Sequence, residues 1–233
     1  MESCSEVQRI TEVYREYRER GWCETKWAIT NKGNQAVLRE REQKLNEVLQ
    51  CSGFLPLVRR RVLDVGCGSG ELLANLQSLG AKVENLFGVD LLPERIQRAK
   101  ERFPQINFQR VNAEALPFAD GFFDLVSVFT VFSSILDRQM ARNVSREIDR
   151  ILRRGGAVIW YDFRMNSPFN RHVRGMSQKA VRCLFPKFDL RLVPITLLPP
   201  VARRLGRLTD PLYACLASLT FLRSHYLGVL VKL

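Results

Sequence analysis

The sequence predicts an α/β domain, a mostly parallel sheet with helices on both faces. Three observations carry that expectation. Between residues 61 and 163 short apolar runs alternate with helical patterns, a rhythm that calls for crossover connections and parallel strand pairing. A glycine-rich turn, Gly66-Cys67-Gly68-Ser69-Gly70, stands between the first run and the first helix of that series. The chain has 233 residues, 46% hydrophobic and 26% charged, which suits a single core closed without disulfides.

Residues 6–20 read as a charged helix with Val7, Ile10, Val13, Tyr14 and Tyr17 along one stripe. Gly21 breaks the pattern, and Trp22, Trp27, Asn31, Gly33 and Asn34 fall in an irregular stretch. A second helix is expected over 35–50, with Val37, Leu38, Leu45, Val48 and Leu49 inward; Ser52, Gly53 and Pro56 punctuate the segment after it. Strands are expected over 61–65, 83–90, 106–111, 122–131 and 157–163. Between them lie helices over 70–79, ended by Gly80, over 93–102, opened by Pro93, and over 137–153, capped by Gly155-Gly156; a turn fills 117–121. Then come a basic loop over 166–174, a short helix from the N-cap Ser177 to 185, and a strand over 190–198 stopped by Pro199-Pro200. A helical stretch over 201–222, interrupted near Gly206 and Pro211, precedes a last strand over 225–233. No repeat or linker divides the chain, so we expect one domain over 1–233: a helical cap (1–58), a ligand-binding core (59–165) and a substrate-side region (166–233).

The net charge of +12 is uneven. Residues 161–233 hold 12 Lys/Arg against Asp162, Asp189 and Asp210, and no glutamate follows Glu147. Such a balance suits an acidic or amphiphilic small molecule, an anionic membrane surface or nucleic acid. Nucleic acid is the least supported, because the basic region lacks interleaved aromatics and no RNA-binding module is appended. No stretch has the apolar length of a membrane helix, and the polar, acidic residues 1–6 are unlike a secretory leader, so a cytoplasmic location is expected. Cys4, Cys23, Cys51, Cys67, Cys183 and Cys215 form no CxxC pair and are expected to be reduced and mostly buried. With only His172 and His225 besides, no metal site is expected.

The glycines at 66, 68 and 70 permit positive φ and let a ligand lie against the backbone at the carboxyl end of the first strand. Asp90 ends the second strand, where an acid accepts hydrogen bonds from ribose hydroxyls. Asn112-Ala113-Glu114 follows the third strand, and Leu116-Pro117-Phe118 is expected to close an apolar wall for an adenine ring. Asp124 opens the fourth strand and 129–134 form its exit. A dinucleotide fingerprint places its third glycine one residue further on, and Glu71 would oppose a pyrophosphate at the helix start. A ligand without phosphate meets no such obstacle.

In this order and spacing LDVGCGSG (63–70), GVD (88–90), NAEALPF (112–118), FDLVSVFTVFSSI (123–135) and ILRRGGAVIW (151–160) resemble the class I S-adenosylmethionine-dependent methyltransferases, in the type 11-like, small-molecule subgroup. The resemblance is strong over residues 60–165 and loose beyond. It implies a Rossmann-like, doubly wound, seven-stranded sheet with its last strand antiparallel, a helical N-terminal lid and a helical insert between the last two strands. It also implies S-adenosyl-L-methionine as donor, S-adenosyl-L-homocysteine as product and no metal. By resemblance Gly66, Cys67, Gly68 and Gly70 lie along the methionine and ribose parts of the donor, Asp64 anchors its amino group and Asp90 its ribose. Leu91 flanks the adenine, Asn112, Ala113 and Glu114 border its edge, and Phe129 gives a backbone contact near the methionine end. Two departures stand out. Asn112 replaces a frequent aspartate, and Ser133-Ser134 replace a frequent histidine pair.

Methyl transfer from a sulfonium requires alignment and exclusion of water, and a hydroxyl acceptor gains from a base. His172, in the loop after the fifth strand, is the candidate base. Asp162 is a second catalytic candidate, which can equally pair with Arg164, and Ser133 is an orienting hydroxyl. Tyr14, Tyr17, Trp27, Asn31 and Asn34 are lid candidates; Arg164, Arg171 and Arg174 are acceptor-side candidates. Leu197, Leu198 and residues 212–222, flanked by Arg203, Arg204 and Arg207, suit an amphiphilic or acidic acceptor and also peripheral membrane contact. The expectation is O-methylation of a sugar, a lipid-linked glycan or an acidic natural product, with C-methylation of a quinone or polyketide as the alternative. An RNA methyltransferase and a non-catalytic module rank lower; residues 129–132, FTVF, lack the Asn-Pro-Pro-Tyr type of motif.

Overall fold

Val62, Leu63, Asp64 and Val65 are all buried, which marks their strand as one with neighbours on both edges and helices on both faces. The computed structural model describes residues 2–22, 25–167 and 170–233; Cys23 and the side chain of Cys4 lie outside the described residues. In chain order come α1 (Glu2–Glu19), α2 (Lys32–Cys51), β1 (Val62–Val65), α3 (Glu71–Ser78), β2 (Leu86–Asp90), α4 (Pro93–Arg102), β3 (Asn107–Arg110) and β4 (Phe123–Phe129). There follow α5 (Arg138–Ile151), β5 (Leu152–Phe163), α6 (Gln178–Leu184), β6 (Phe188–Leu197), α7 (Pro199–Arg204), α8 (Thr209–Ser218) and β7 (Arg223–Lys232).

The sheet order is β3-β2-β1-β4-β5-β7-β6. The first five strands in sequence run parallel, and β7 lies antiparallel to both β5 and β6. Continuous apolar runs occupy the middle, while the edge strands are more open: β3 buries only Phe108, and β6 is accessible or half-buried from Asp189 to Pro194. Strand order reverses between β1 and β4, so the crevice of a doubly wound sheet opens at their carboxyl ends. One face is covered by α1, α5 and α6 through Ile10, Val144, Ile148 and Val181. The other is covered by α2, α3 and α4 through Leu45, Leu49, Leu73, Leu76 and Ile96.

Both N-terminal helices are tied to later elements. Glu6 of α1 accepts from the amides of Leu136 and Asp137 at the start of α5, at 2.6 and 3.3 Å. Glu40 of α2 accepts from the Tyr213 hydroxyl at 2.8 Å and the Thr196 amide at 3.2 Å, and pairs with Arg223. The insert between β6 and β7 is therefore braced on α2.

The expected elements all occur, with four corrections. Gly155-Gly156 do not cap α5; the chain passes into β5 at Leu152, and the glycines sit within that strand at a register shift against β4. There the Arg153 guanidinium donates to Asp124 at 2.7 Å. Pro199-Pro200 open α7, and Pro211 lies in the first turn of α8, where a missing N–H leaves no bond unmade. The span 83–90 begins as a 3-10 turn, Val83–Asn85. Among the described cysteine side chains only Cys67 is buried; Cys51, Cys183 and Cys215 are exposed.

Gly88 of β2 allows a close approach. A Cβ there would lie 2.6 Å from the Phe108 ring, which crosses from β3. Gly88→Ala is expected to lower stability by about 1–3 kcal/mol through overpacking. A chemical-denaturation midpoint equal to wild type would contradict this packing.

Candidate functional site

The turn after β1 is held by the end of β2. The amides of Gly66 and Cys67 donate to the Val89 carbonyl at 2.8 and 3.0 Å. The Gly68 amide donates to Asp90 Oδ2 at 3.0 Å, and the Leu92 amide to Asp90 Oδ1 at 2.9 Å. Each carboxylate oxygen keeps capacity for a further donor. Gly66 and Gly68 have φ of 72° and 56°. A Cβ at Gly68 would meet nothing within 4 Å, so the backbone there faces open space, whereas one at Gly66 would strike Val131. Glu71, first in α3, pairs with Arg102 and keeps an acid at the helix start. A bare backbone floor beside two buried carboxylates, with no phosphate cradle, fits a donor that carries an amine and a ribose but no phosphate.

Asp64 is the second of those acids. Its Oδ1 accepts from Ser127 Oγ at 2.7 Å. Burial pushes its pKa from 3.8 to about 7, the nearby Asp90 adds to the shift, and Ser127 and Arg41 oppose it. Arg41, on α2, lies over the rings of Phe129 and Tyr161 at 5.6 and 5.5 Å. An acid and a guanidinium at one mouth suit the two charged ends of an amino acid. Arg41 sits in the charged run REREQK (39–44), where no periodicity distinguishes it from solvated neighbours.

The exit of β4 is strained. Thr130 has φ 56° and its amide donates to the Tyr161 carbonyl at 2.7 Å. Thr196 has φ 67°, and its Oγ1 lies 3.0 Å from the Tyr161 hydroxyl. A β-branched residue in this region costs about 1–3 kcal/mol and persists where its surroundings force it. His225 stacks on Tyr161 with centroids 4.6 Å apart, lies 4.1 Å from Phe163, and bonds Ser224 Oγ through Nδ1 at 2.7 Å. Burial, aided by the Arg41 charge, pushes its pKa down to about 3, so the ring is neutral. The β5–β7 register sets His225 opposite Phe163, a placement that sequence spacing alone does not reveal.

Beneath α1 a small cavity is lined by Arg9, Tyr14, Tyr17, Ser134 and His172, among others. The Tyr14 hydroxyl lies 3.2 Å from Ser134 Oγ, which donates to the Thr130 carbonyl at 2.9 Å. Arg9 donates to the Ser134 carbonyl at 2.6 Å. Tyr17 and Asn170 share two hydrogen bonds, and Asn170 accepts from the His172 amide at 3.0 Å. Arg95 links this cavity to the turn, with its guanidinium 4.2 Å from the Tyr14 ring and 3.7 Å from Asp90.

The remaining expected residues have plainer places. Ser133 is fully buried and its amide donates to Asp162 at 2.9 Å, so Ser134 is the hydroxyl that faces the cavity. Asp162 is buried, raised to about 6 by desolvation, and braces the β4 exit; it does not pair with Arg164, which donates to the Thr220 carbonyl. Arg174 donates to the carbonyls of Ile135 and Leu136 and holds the same turn, while Arg171 is exposed. Asn31 caps α2 and reaches the Arg203 carbonyl, and Asn34 binds the carbonyls of Lys26 and Ala28. Their side chains shape the backbone of this segment. Trp27 is 48% exposed and packs edge-on against Tyr17 and Trp22. Half-buried Leu91 follows Asp90, and its carbonyl accepts from Arg110. Asn112 accepts from the Glu114 amide, and Glu114 accepts from Asn143 beside half-buried Ala113. The expected adenine wall is corrected in part. Leu116 is core, and Phe118 joins Phe87, Phe122 and Phe123 toward the amino ends of β2 and β4. Among the described residues no group of three His, Cys, Asp or Glu side chains could hold a metal ion.

Residues 63–160 match the family model described as a methyltransferase domain. The ubiquinone/menaquinone biosynthesis C-methyltransferase of Campylobacter jejuni is 28% identical over 107 residues, 44% of this chain and 44% of that protein. An uncharacterised protein of Mycobacterium tuberculosis is 38% identical over 140 residues, 57% of this chain and 46% of that one. The chain thus spans under half the length of the curated relatives it matches. The crystal structure of an S-adenosylmethionine-dependent methyltransferase from Archaeoglobus fulgidus superposes with a TM-score of 0.59 at 16% identity, covering 83% of this chain and 96% of that one, and so shares the fold.

Two outcomes are expected of the buried acids. Asp90→Asn is expected to weaken donor binding roughly ten-fold to a hundred-fold, the usual worth of hydrogen bonds to a charged group; unchanged affinity by calorimetry would remove Asp90 from the donor site. Asp64, with its pKa raised to about 7, contributes stability that is full below about 4 and lost as pH climbs through about 7. Asp64→Asn should therefore gain stability over wild type progressively across that window. A pH-independent difference in unfolding free energy would contradict the shift.

Proposed function

We propose that this chain, which belongs to the class I S-adenosylmethionine-dependent methyltransferases of type 11, moves a methyl group onto an oxygen of a small, amphiphilic or acidic acceptor. The observation that carries the reading is the cluster of His172, Tyr14, Ser134 and Arg9 around one cavity beside the strained exit of β4. The donor supplies a methyl group already activated on a sulfonium. The chain's task is to align the acceptor and keep water out.

In this reading Asp90 accepts from the ribose hydroxyls while its other lone pairs keep the Gly68 and Leu92 amides. Asp64 takes the donor's ammonium and Arg41 its carboxylate, on the α2 side of the mouth. Gly66, Cys67, Gly68 and Gly70 form the floor, and Leu91, Asn112, Ala113 and Glu114 border the base. Phe129, at the end of β4, offers its backbone. Tyr14 and Ser134 orient the acceptor hydroxyl, and His172 receives its proton at a ring nitrogen. Arg9, ion-paired with Glu6 at 2.8 Å and bonded to the Ser134 carbonyl, holds that serine at the cavity. Helix α1, with Tyr14 and Tyr17, serves as the lid that excludes water.

A second reading, methylation at carbon, is favoured by the names of the quinone-biosynthesis relatives. Their likeness covers less than half of this chain. Incubation with donor carrying a carbon-13 methyl, against hydroxylated and quinol-type acceptors, separates the two. The chemical shift of the transferred methyl distinguishes an oxygen-bound from a ring-bound product, and a ring-bound methyl would overturn the first reading.

His172→Ala is expected to reduce turnover by about 10²–10⁴-fold with donor affinity unchanged. Turnover equal to wild type would remove the base role.

A further inference from the structure

Residues 211–222, PLYACLASLTFL, contain no charged side chain. They make up most of α8 and the 3-10 turn after it, Thr220–Leu222. One face is packed through Tyr213 and Ala217. The opposite face is also largely apolar yet open to solvent: Leu212, Ala214, Cys215 and Leu219 are exposed, and Phe221 is 69% exposed. A surface helix that is apolar on its packed and its open side lacks the polar stripe that water demands, and such a patch marks a contact site.

Its surroundings identify the partner. Arg203, Arg204 and Arg207 lead into α8 beside Leu208, which is 56% exposed. Asp210, the one acid between residues 190 and 233, lies 3.8 Å from Arg39. Burial and the adjacent Arg204 charge push the Arg203 pKa down, a tension that an incoming anion would relieve. Arg164 stands at the other end, donating to the Thr220 carbonyl at 2.9 Å. The exposed Ile29 and Trp27 lie nearby in sequence to Asn31, which is bonded to the Arg203 carbonyl. A second copy of this face would bring arginines against arginines. An anionic lipid surface complements them and accepts the leucines and phenylalanine as well.

We propose that α8 and its flanking turns are an interfacial element that seats this chain on an anionic phospholipid bilayer. Leu212, Leu219 and Phe221 enter the boundary between headgroups and acyl chains, and Arg204 and Arg207 meet lipid phosphates. The seat does not depend on methyl transfer, and its test uses neither donor nor acceptor.

The test is co-sedimentation of the full chain with phosphatidylcholine vesicles, with and without phosphatidylglycerol, at low and high salt. The expected result is pelleting with the anionic vesicles only, reversed by salt. Arg204→Ala and Arg207→Ala should each lower the partition coefficient about five-fold. Leu219→Ser with Phe221→Ser should abolish pelleting while thermal unfolding stays as in wild type. No pelleting with anionic vesicles, equal pelleting with both kinds, or pelleting untouched by the Leu219 and Phe221 changes would overturn the proposal. So would a dimer on gel filtration that these two changes convert to monomer, because the face would then belong to a second copy.

Discussion

The carboxylate of Asp90 is the joint on which the site depends. It is nearly buried, and an anion in that position is stable only where donors meet it. Gly68 and Leu92 provide those donors, one from the turn after β1 and one from the entry to α4. A single side chain thus sets two backbone segments at a fixed spacing. The Val89 carbonyl, receiving the Gly66 and Cys67 amides, fastens the same turn from the neighbouring residue. Parallel pairing of β1 with β2 supplies the frame, with Asp64 opposite Gly88, and Gly88 leaves room for the Phe108 ring.

Across the crevice Tyr161 has the corresponding role. Thr130 binds its carbonyl and Thr196 its hydroxyl, each from left-handed backbone that a β-branched residue avoids. Such strain survives where packing over-determines the position, and here it shapes the exit of β4 toward the crevice. Arg41 reaches this wall from α2, and the cavity under α1 is joined to it through Ser134, which donates to the Thr130 carbonyl. Asp162 and Arg174 sustain the turn between them by binding its amides and carbonyls.

Much of this architecture was legible in the sequence. Strand–helix alternation, the glycine turn and Asp90 depend on local residue types at short spacing, and local spacing is what a sequence displays. The long amphipathic run of α5 and the Ser177 cap of α6 were legible for the same reason. The hidden features depend on register and three-dimensional contact. His225 meets Tyr161 and Phe163 only because β7 pairs with β5 in a register that sets it opposite Phe163. Arg41 is one cation among many on a polar helix until Phe129 and Tyr161 are placed beneath it. Ser133 and Ser134 are adjacent and chemically alike, and the turn alone decides which of them faces the cavity. Asn31 and Asn34 are lid candidates by sequence, whereas their amides satisfy backbone groups around the start of α2. Gly155-Gly156 carry the composition of a helix cap, yet they lie within β5, where the pairing with β4 shifts register.

We propose that the turn tied to Asp90 receives a nucleoside donor that carries an amino acid and no phosphate. The most direct test is isothermal titration of the full wild-type chain with S-adenosyl-L-homocysteine and, separately, with NAD⁺. One saturable site per chain is expected for the first ligand and no heat of binding for the second. Saturable binding of NAD⁺ without binding of S-adenosyl-L-homocysteine would contradict it.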